Sequence, residues 1–305
     1  MALGKSSVAS SSIGLLSGGP SGGRRRWTTP VLSFVRTQPI GTFSAVVLIL
    51  LCAAALFAPL VAQYSPTENT KDTLVGPSVG HWLGTDQFGR DIFSRILYGA
   101  RISLYVGLGA TLIGTIGSTA LGIVTAYRGG WVDYIVQRVV DAVQAIPPLV
   151  LLISVLVVLG PSITNVVIAL SVRAIFTGSR VVRSVVLGIM GAQYMEAARV
   201  IGCSHMRSML VYILPNVMPT VIVLASVAIG ANILAEATLS FLGYGVPPPN
   251  PTWGGMMSSE GRLYMLVAPW ILIAPTVALS LVVFAMNMFG DSLRDVLDPR
   301  MRGSR

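Results

Sequence analysis

Charge is what this 305-residue chain has least of: Asp, Glu, Lys and Arg together make up 11% of it, against 53% hydrophobic residues. A soluble domain is about a quarter charged. With so few polar groups the chain cannot cover a water-exposed surface, which places it in a bilayer. Cysteine is scarce too. Cys52 falls in an apolar run and Cys203 in a polar one, so the two sit at different expected depths and no disulfide is expected. The two histidines, His81 and His205, are far apart, and no Cys/His/carboxylate cluster has metal-ligand spacing. The only lysines are Lys5 and Lys71. Gly4-Lys5-Ser6 imitates the end of a phosphate-binding loop, but the glycine expected five positions before Gly4 is missing. No Gly-x-Ser-x-Gly elbow, His-Glu-x-x-His or paired-carboxylate site occurs. These absences argue against a hydrolase, a metalloenzyme and a nucleotide-binding subunit. The net charge of +9 would suggest nucleic acid in a soluble protein. Here the basic residues lie in short loops beside apolar runs, where they carry topology, so membrane lipid and not nucleic acid is the expected environment.

What is present is a series of long apolar runs. Six predicted spans cover Ile40–Ala62, Ile102–Ala126, Ile135–Leu159, Ile163–Met190, Ile213–Leu234 and Leu266–Phe289. Each has about 20 residues or more, enough to cross ~30 Å of hydrocarbon as a helix. Barrel strands would alternate over ~10 residues, and these runs do not alternate. The expected class is therefore an all-α integral membrane protein with six transmembrane helices. Residues 1–36 are Ser/Gly-rich around Arg24-Arg25-Arg26 and read as a disordered cytoplasmic tail. The apolar run that follows has spanning length and no clean small-x-small cleavage site, which favours an uncleaved anchor over a signal peptide. Residues 37–101 hold the first span and an outer segment, residues 102–290 the core, and residues 291–305 a cytoplasmic end.

Arginines set the orientation. An N-in, C-in arrangement leaves Lys71, Arg90, Arg95, Arg101 and Arg262 outside and the larger number inside. The loop at about 191–212 is then cytoplasmic. Two outer segments remain. One holds Asp86/Arg90 and Asp91/Arg95, i, i+4 pairs suited to an interfacial helix. The other, 235–265, holds the run from Pro247 and Pro248 to Pro251, expected to form an extended strut, and Trp253. Trp253 and Trp270 are candidate interface anchors. The fourth span carries Arg173, Arg180 and Arg183 within about 80° on one face. Arg180 and Arg183 can snorkel to the cytoplasmic side. Arg173 lies deeper and either faces the bundle interior or a water-filled path, or snorkels along a tilted helix. Arg173, Asn232 and Glu236 are the candidate path-lining groups. Asp141 and Glu236 also lie near helix ends, where caps and interfacial pairs are the commoner use.

The most informative stretch is the cytoplasmic loop Glu196-Ala197-Ala198-Arg199-Val200-Ile201-Gly202, followed by Leu214-Pro215. Met195–Ile201 is good helix-forming sequence, and Gly202 can end that helix at positive φ. Met206–Ile213 is a second short helical stretch, and Pro215 should stop it or kink the entry into the next span. The predicted product is a helix–turn–helix carrying small residues, the Glu196 carboxylate and the cations Arg199 and Arg207. Its shape suits a groove on a partner, and on local sequence alone an ordinary solvated loop fits it equally well.

This pattern resembles the EAA loop of ABC-importer permeases. The segments from Leu83 to Arg101, from Leu239 to Gly254 and from Gly290 to Arg300 are similar to the dipeptide/oligopeptide/nickel group, specifically to its second permease subunit. The order is kept over residues 40–301. One departure is Tyr212 where the pattern often has Ile. The resemblance implies a type I importer permease fold that pairs with a homologous second permease. Two cytoplasmic ATPase subunits would bind ATP and Mg, this chain holding no cofactor, and an extracytoplasmic binding protein would deliver a peptide substrate. It also implies that Glu196, Ala197, Ala198, Gly202, Leu214 and Pro215 couple the permease to the ATPases, joined by Arg199 and Arg207, and that the outer loop with Pro247, Pro248 and Trp253 is the receiving face. A nickel chelate or another small solute is the alternative cargo. The rival of a different class is an ATP-independent secondary transporter or channel, for which internal repeats and broken helices would speak.

Overall fold

A computed structural model describes residues 34, 35 and 37–297; the expectations for the basic run Arg24-Arg25-Arg26 and for Asp298-Pro299-Arg300 lie outside them. Helix α1 (Pro39–Leu56) breaks at Phe57 and a short α2 (Ala58–Val61) follows, so the first predicted span ends earlier than its apolar composition suggests. Helix α3 runs unbroken over Ile92–Arg128. At 1.5 Å per residue it is about 56 Å long, well beyond the hydrocarbon thickness. The predicted start at Ile102 is corrected by ten residues. Asp91 caps the helix by accepting from Ser94 N–H at 2.8 Å, and Arg95 does not interrupt it because its guanidinium donates to Pro66 O at 2.9 Å. Asp86 and Arg90 do pair, at 2.6 Å, but in the loop ahead of α3 and not on an interfacial helix.

The third predicted span is two helices. α4 (Gly130–Ala145) and α5 (Pro148–Leu159) meet at 95°. The cause is Pro147-Pro148: each proline drives the residue before it out of the helical region, and Ile146 and Pro147 both sit near ψ 130°. The pair still runs the length of α6 (Ile163–Met190), antiparallel to it. Asp133 meets Arg183, Gln144 donates to Phe176 O, and Asn165 donates to Leu159 O. Among the described residues it counts as one broken span beside five continuous helical runs long and apolar enough to cross, six in all.

After α6 come α7 (Gln193–Val200) and α8 (His205–Arg207), a π-helical turn (Ser208–Ile213) and α9 (Leu214–Phe241). From His205 to Phe241 the chain is one helical run of 37 residues. The expected stop at Pro215 does not occur. Leu214 N–H reaches back to Met209 O, and this widened turn accommodates a proline at the second position of α9. The outer loop holds α10 (Trp253–Met256) and α11 (Ser259–Leu263), and α12 (Trp270–Leu297) closes the fold. Among the described residues an isolated bridge between Thr85 and Asp91 is the whole of the β-structure.

Helix α3 is the centre post. Its small residues let α6 approach closely: a Cβ on Gly114 would lie 2.6 Å from Ala174 Cβ, and one on Gly122 would lie 2.8 Å from Ser179 O. Across the contact, Gly178 would meet Ser118 in the same way. Small residues at four-residue spacing on both helices are how membrane helices gain packing where lipid offers no hydrophobic drive. One apolar cluster joins α3, α5, α6 and α9 through Val106, Leu156, Leu170 and Leu239. A second joins α3, α6, α7, the π-turn and α9 through Ile123, Val186, Met195, Ile213 and Val217. On the outer side, Trp253 is 1% exposed and donates to Ile96 O, and Trp270 donates to Thr85 O, both at 3.1 Å. Trp253 is too deeply buried to be the interface anchor expected from composition; each of the two pins an outer segment to the bundle. The proline run turns at Pro248-Pro249-Asn250 and forms no extended strut.

Candidate functional site

The turn between α6 and α9 is built from its residues as follows. Met195 and Ala198 are the buried face of α7, and Met195 belongs to the apolar cluster under the turn. Glu196, Ala197 and Arg199 face out. The helix ends in a Schellman arrangement, with Gly202 N–H donating to Arg199 O and Cys203 N–H to Ala198 O, both at 3.0 Å. Gly202 has φ +77°, the left-handed conformation that glycine adopts without penalty. Ser204 then caps α8, accepting from Arg207 N–H at 3.4 Å, and Arg207 is exposed at its end. Leu214 is half-buried and Pro215 exposed where α9 begins. Tyr127 at the end of α3 hydrogen-bonds His205 Nδ1 at 3.0 Å and braces the turn against the centre post.

Two features of the turn were not legible in the charged and small residues of the motif. Val200 and Ile201 are 87% and 74% exposed, and Met206 is exposed beside them. The tip is therefore an apolar knob ringed by Glu196, Arg199 and Arg207, a surface that a solvated loop would not need. The second arm of the turn is also no separate stretch. It is the first part of the same helical run that crosses the bundle as α9.

Higher in the bundle, α3, α6 and α9 leave a cleft of about 240 Å³. Arg173 and Asn232 both line it, with Thr111, Thr115, Ser118 and Thr177. Asn232 Nδ2 donates to Thr111 Oγ1 at 3.0 Å. The hydroxyls had no sequence signal, because Ser and Thr in a span also bond back to their own helix, as Ser118 does to Thr115 O. Glu236, one turn beyond Asn232, lies outside the cleft. It is fully buried and accepts from Ser103 at 3.1 Å and Ser240 at 2.7 Å.

The other two arginines of α6 have partners. Arg183 makes a two-pronged pair with Asp133, at 2.6 and 2.5 Å, and Arg180 pairs with Asp141, which also meets Arg138 at 3.4 Å. They tie α6 to α4 where simple snorkelling was expected, and Asp141 holds the structural role expected of it. Pro247 is half-buried and Pro248 exposed, while Trp253 is inside the fold, out of reach of a soluble partner.

Comparison with known proteins places this arrangement. Residues 118–303 match the family described as binding-protein-dependent transport system inner membrane component, and residues 35–77 match the N-terminal TM domain of oligopeptide transport permease C. The dipeptide transport system permease protein DppC of Alkalihalophilus pseudofirmus is 42% identical over 249 residues, 81% of this chain and 82% of its own length. The glutathione transport system permease protein GsiD of Escherichia coli O6:K15:H31 is 42% identical over 271 residues, 88% of this chain and 89% of its own. In fold, a chain of the MetNI methionine ABC transporter, solved in inward-facing conformations, aligns with TM-score 0.55 at 17% identity over 67% of this chain and 96% of that one. A second crystal form of the same transporter gives TM-score 0.56 at 18% identity over 68% and 98%. The chain is a multi-pass inner-membrane transporter subunit with a type I ABC-importer permease fold, and it belongs to the family of binding-protein-dependent transport system inner membrane components.

Proposed function

We propose that this chain is one permease of an ATP-driven importer for short peptides, working against a homologous second permease. Two cytoplasmic ATPase subunits seat the turn at 193–213, an extracytoplasmic binding protein delivers the peptide to the outer loops, and this chain has no ATP site of its own. ATP and Mg are bound by the ATPase subunits. The observation that carries this reading is that the second arm of the turn, which starts at His205 just after the apolar knob at Val200 and Ile201, is one helical run with the cleft residue Asn232, while Tyr127 and the second apolar cluster brace its base. Closure of the ATPases on ATP moves the knob, and the two permeases rotate against each other as rigid bodies to change access. Glu196, Arg199 and Arg207 ring the knob and fix its register in the partner groove through polar contacts, while the apolar tip supplies the burial. Peptide cargo is supported by the 42% identity to relatives named for dipeptides and glutathione.

The experiment is to express the chain with its neighbouring genes, purify it and measure ATP hydrolysis in lipid. Co-purification of a second permease and of ATPase subunits, with hydrolysis raised by peptide-loaded binding protein, is the expected result. Recovery of the chain alone, with flux driven by an ion gradient, contradicts it.

A further inference from the structure

Arg173 stands apart from the other cations of its helix. Arg180 and Arg183 each have a carboxylate partner on α4, whereas among the described residues Arg173 has none. It sits ten residues into α6, about 10 Å above Arg180 along the helix axis and well inside the span. Its Nε is buried and makes no hydrogen bond. Two carboxylates on neighbouring helices are already committed: Asp141 to Arg180 and Arg138, Glu236 to Ser103 and Ser240. Arg173 lines two neighbouring cavities. One is the hydroxyl-rich cleft between α3, α6 and α9; the other, of about 220 Å³, lies at the α4–α5 break against Gln144 and Pro148. The cleft holds a second orphan, Thr119 Oγ1, buried and without a hydrogen-bond partner. An unpaired guanidinium within a membrane bundle is costly and is retained where it faces a path or a ligand. Its planar fork matches a carboxylate with two parallel hydrogen bonds.

We propose that Arg173 receives the free carboxylate of the peptide during transit, while Thr111, Thr115, Ser118 and Asn232 meet its amide groups. This rests on the peptide-importer reading. It adds that the permease itself reads an anionic end, separately from the binding protein. A carboxylate is the fitting partner because every other polar group on the cleft is neutral, so a solute lacking an anion would leave the cation uncompensated. Asn232 supports the site from α9: its amide donates to Thr111, so the Thr111 hydroxyl keeps its own proton for the cargo.

The test uses the whole transporter in proteoliposomes, with labelled dialanine and dialanine amide as cargo, each at concentrations that saturate the binding protein. The variants are Arg173→Gln and Arg173→Lys. The expected result is a fall of about tenfold or more in dialanine transport for Arg173→Gln, the loss of a charge-assisted hydrogen bond. Arg173→Lys should recover part of it, and the amide should move at the same low rate in wild type and Arg173→Gln. Subunit assembly, read as recovery of the second permease with the purified variant, should stay within about twofold of wild type. Equal losses for dialanine and its amide would overturn the proposal, and so would loss of the second permease from purified Arg173→Gln, which would make Arg173 a subunit-pairing residue. Failure of the importer reading shows up separately, as wild-type transport that needs neither ATP nor binding protein.

Discussion

Substitution at Gly202 isolates the backbone of the coupling turn. Gly202 adopts φ +77°, and a Cβ built on it meets nothing within 4 Å, so Gly202→Ala adds no clash and costs only the left-handed preference. That cost is about 1–2 kcal/mol, a factor of roughly 5–30 in the population of the correct turn. Gly202→Asn should be milder, because Asn visits this conformation more readily. Gly202→Pro is different in kind. Its φ is fixed near −65° and it removes the N–H that donates to Arg199 O at 3.0 Å, so the Schellman turn cannot form. The expected penalty is about 3 kcal/mol or more, which lowers the ratio of native to other turn conformations by about 150-fold or more. The bundle below should be unaffected, because Val186, Ile213 and Val217 pack without help from residue 202. Uptake of labelled dipeptide by cells, normalised to the permease found in the membrane, should therefore follow Gly ≥ Asn > Ala ≫ Pro at equal membrane amounts. Near-normal uptake by Gly202→Pro would refute the coupling role of the turn.

Trp253→Ala should cost about 3–5 kcal/mol, since the indole is buried against Ala237, Ile233 and Leu279 and donates to Ile96 O. Thermal unfolding of the purified complex measures it, and Trp253→Phe should recover most of the packing but not the hydrogen bond. Gly114→Val should force α3 and α6 apart at Ala174 at a cost of about 1–3 kcal/mol. Gly188→Ala, where an added Cβ meets nothing, should be neutral or slightly stabilising in the same unfolding experiment.

The sequence reading is most accurate where one physical signal acts alone. Ile163–Met190 matches α6 at both ends because Ser162 caps one end, accepting from Asn165 N–H, and Gly191 closes the other. It fails where apolar composition hides a backbone event. Pro147-Pro148 sits inside a hydrophobic run, so hydropathy saw one span where the chain makes a 95° bend. The charges of Arg95 and Arg101 made the start of α3 look like part of a polar outer segment with its own interfacial helix, although Arg95 is neutralised by Asp86 and Pro66 O and Arg101 lies over the Tyr98 ring. Pro215 looked like a stop, yet a π-turn upstream absorbs it. The small and charged residues of the turn were readable because their spacing encodes a helix, a glycine C-cap and a second helix. Its apolar tip was not, because Val200 and Ile201 look like core residues until their exposure is known. In the cleft, Arg173 and Asn232 stood out by chemistry alone, while grouping them with five hydroxyls and setting Glu236 apart required the packing of three helices.

The central claim is that the knob at 200–201 seats in an ATPase subunit and moves with nucleotide. Cysteine cross-linking tests it most directly. Val200→Cys would be placed in the assembled transporter, with Cys52 and Cys203 replaced by serine, and probed with a short thiol-reactive linker with and without ATP. A cross-link to a P-loop subunit is expected, with a yield that changes when ATP binds, and none from Leu60→Cys, an exposed position in α2 at the opposite end of the bundle. Absence of any link from Val200→Cys to an ATPase, in a complex that still transports, would contradict it.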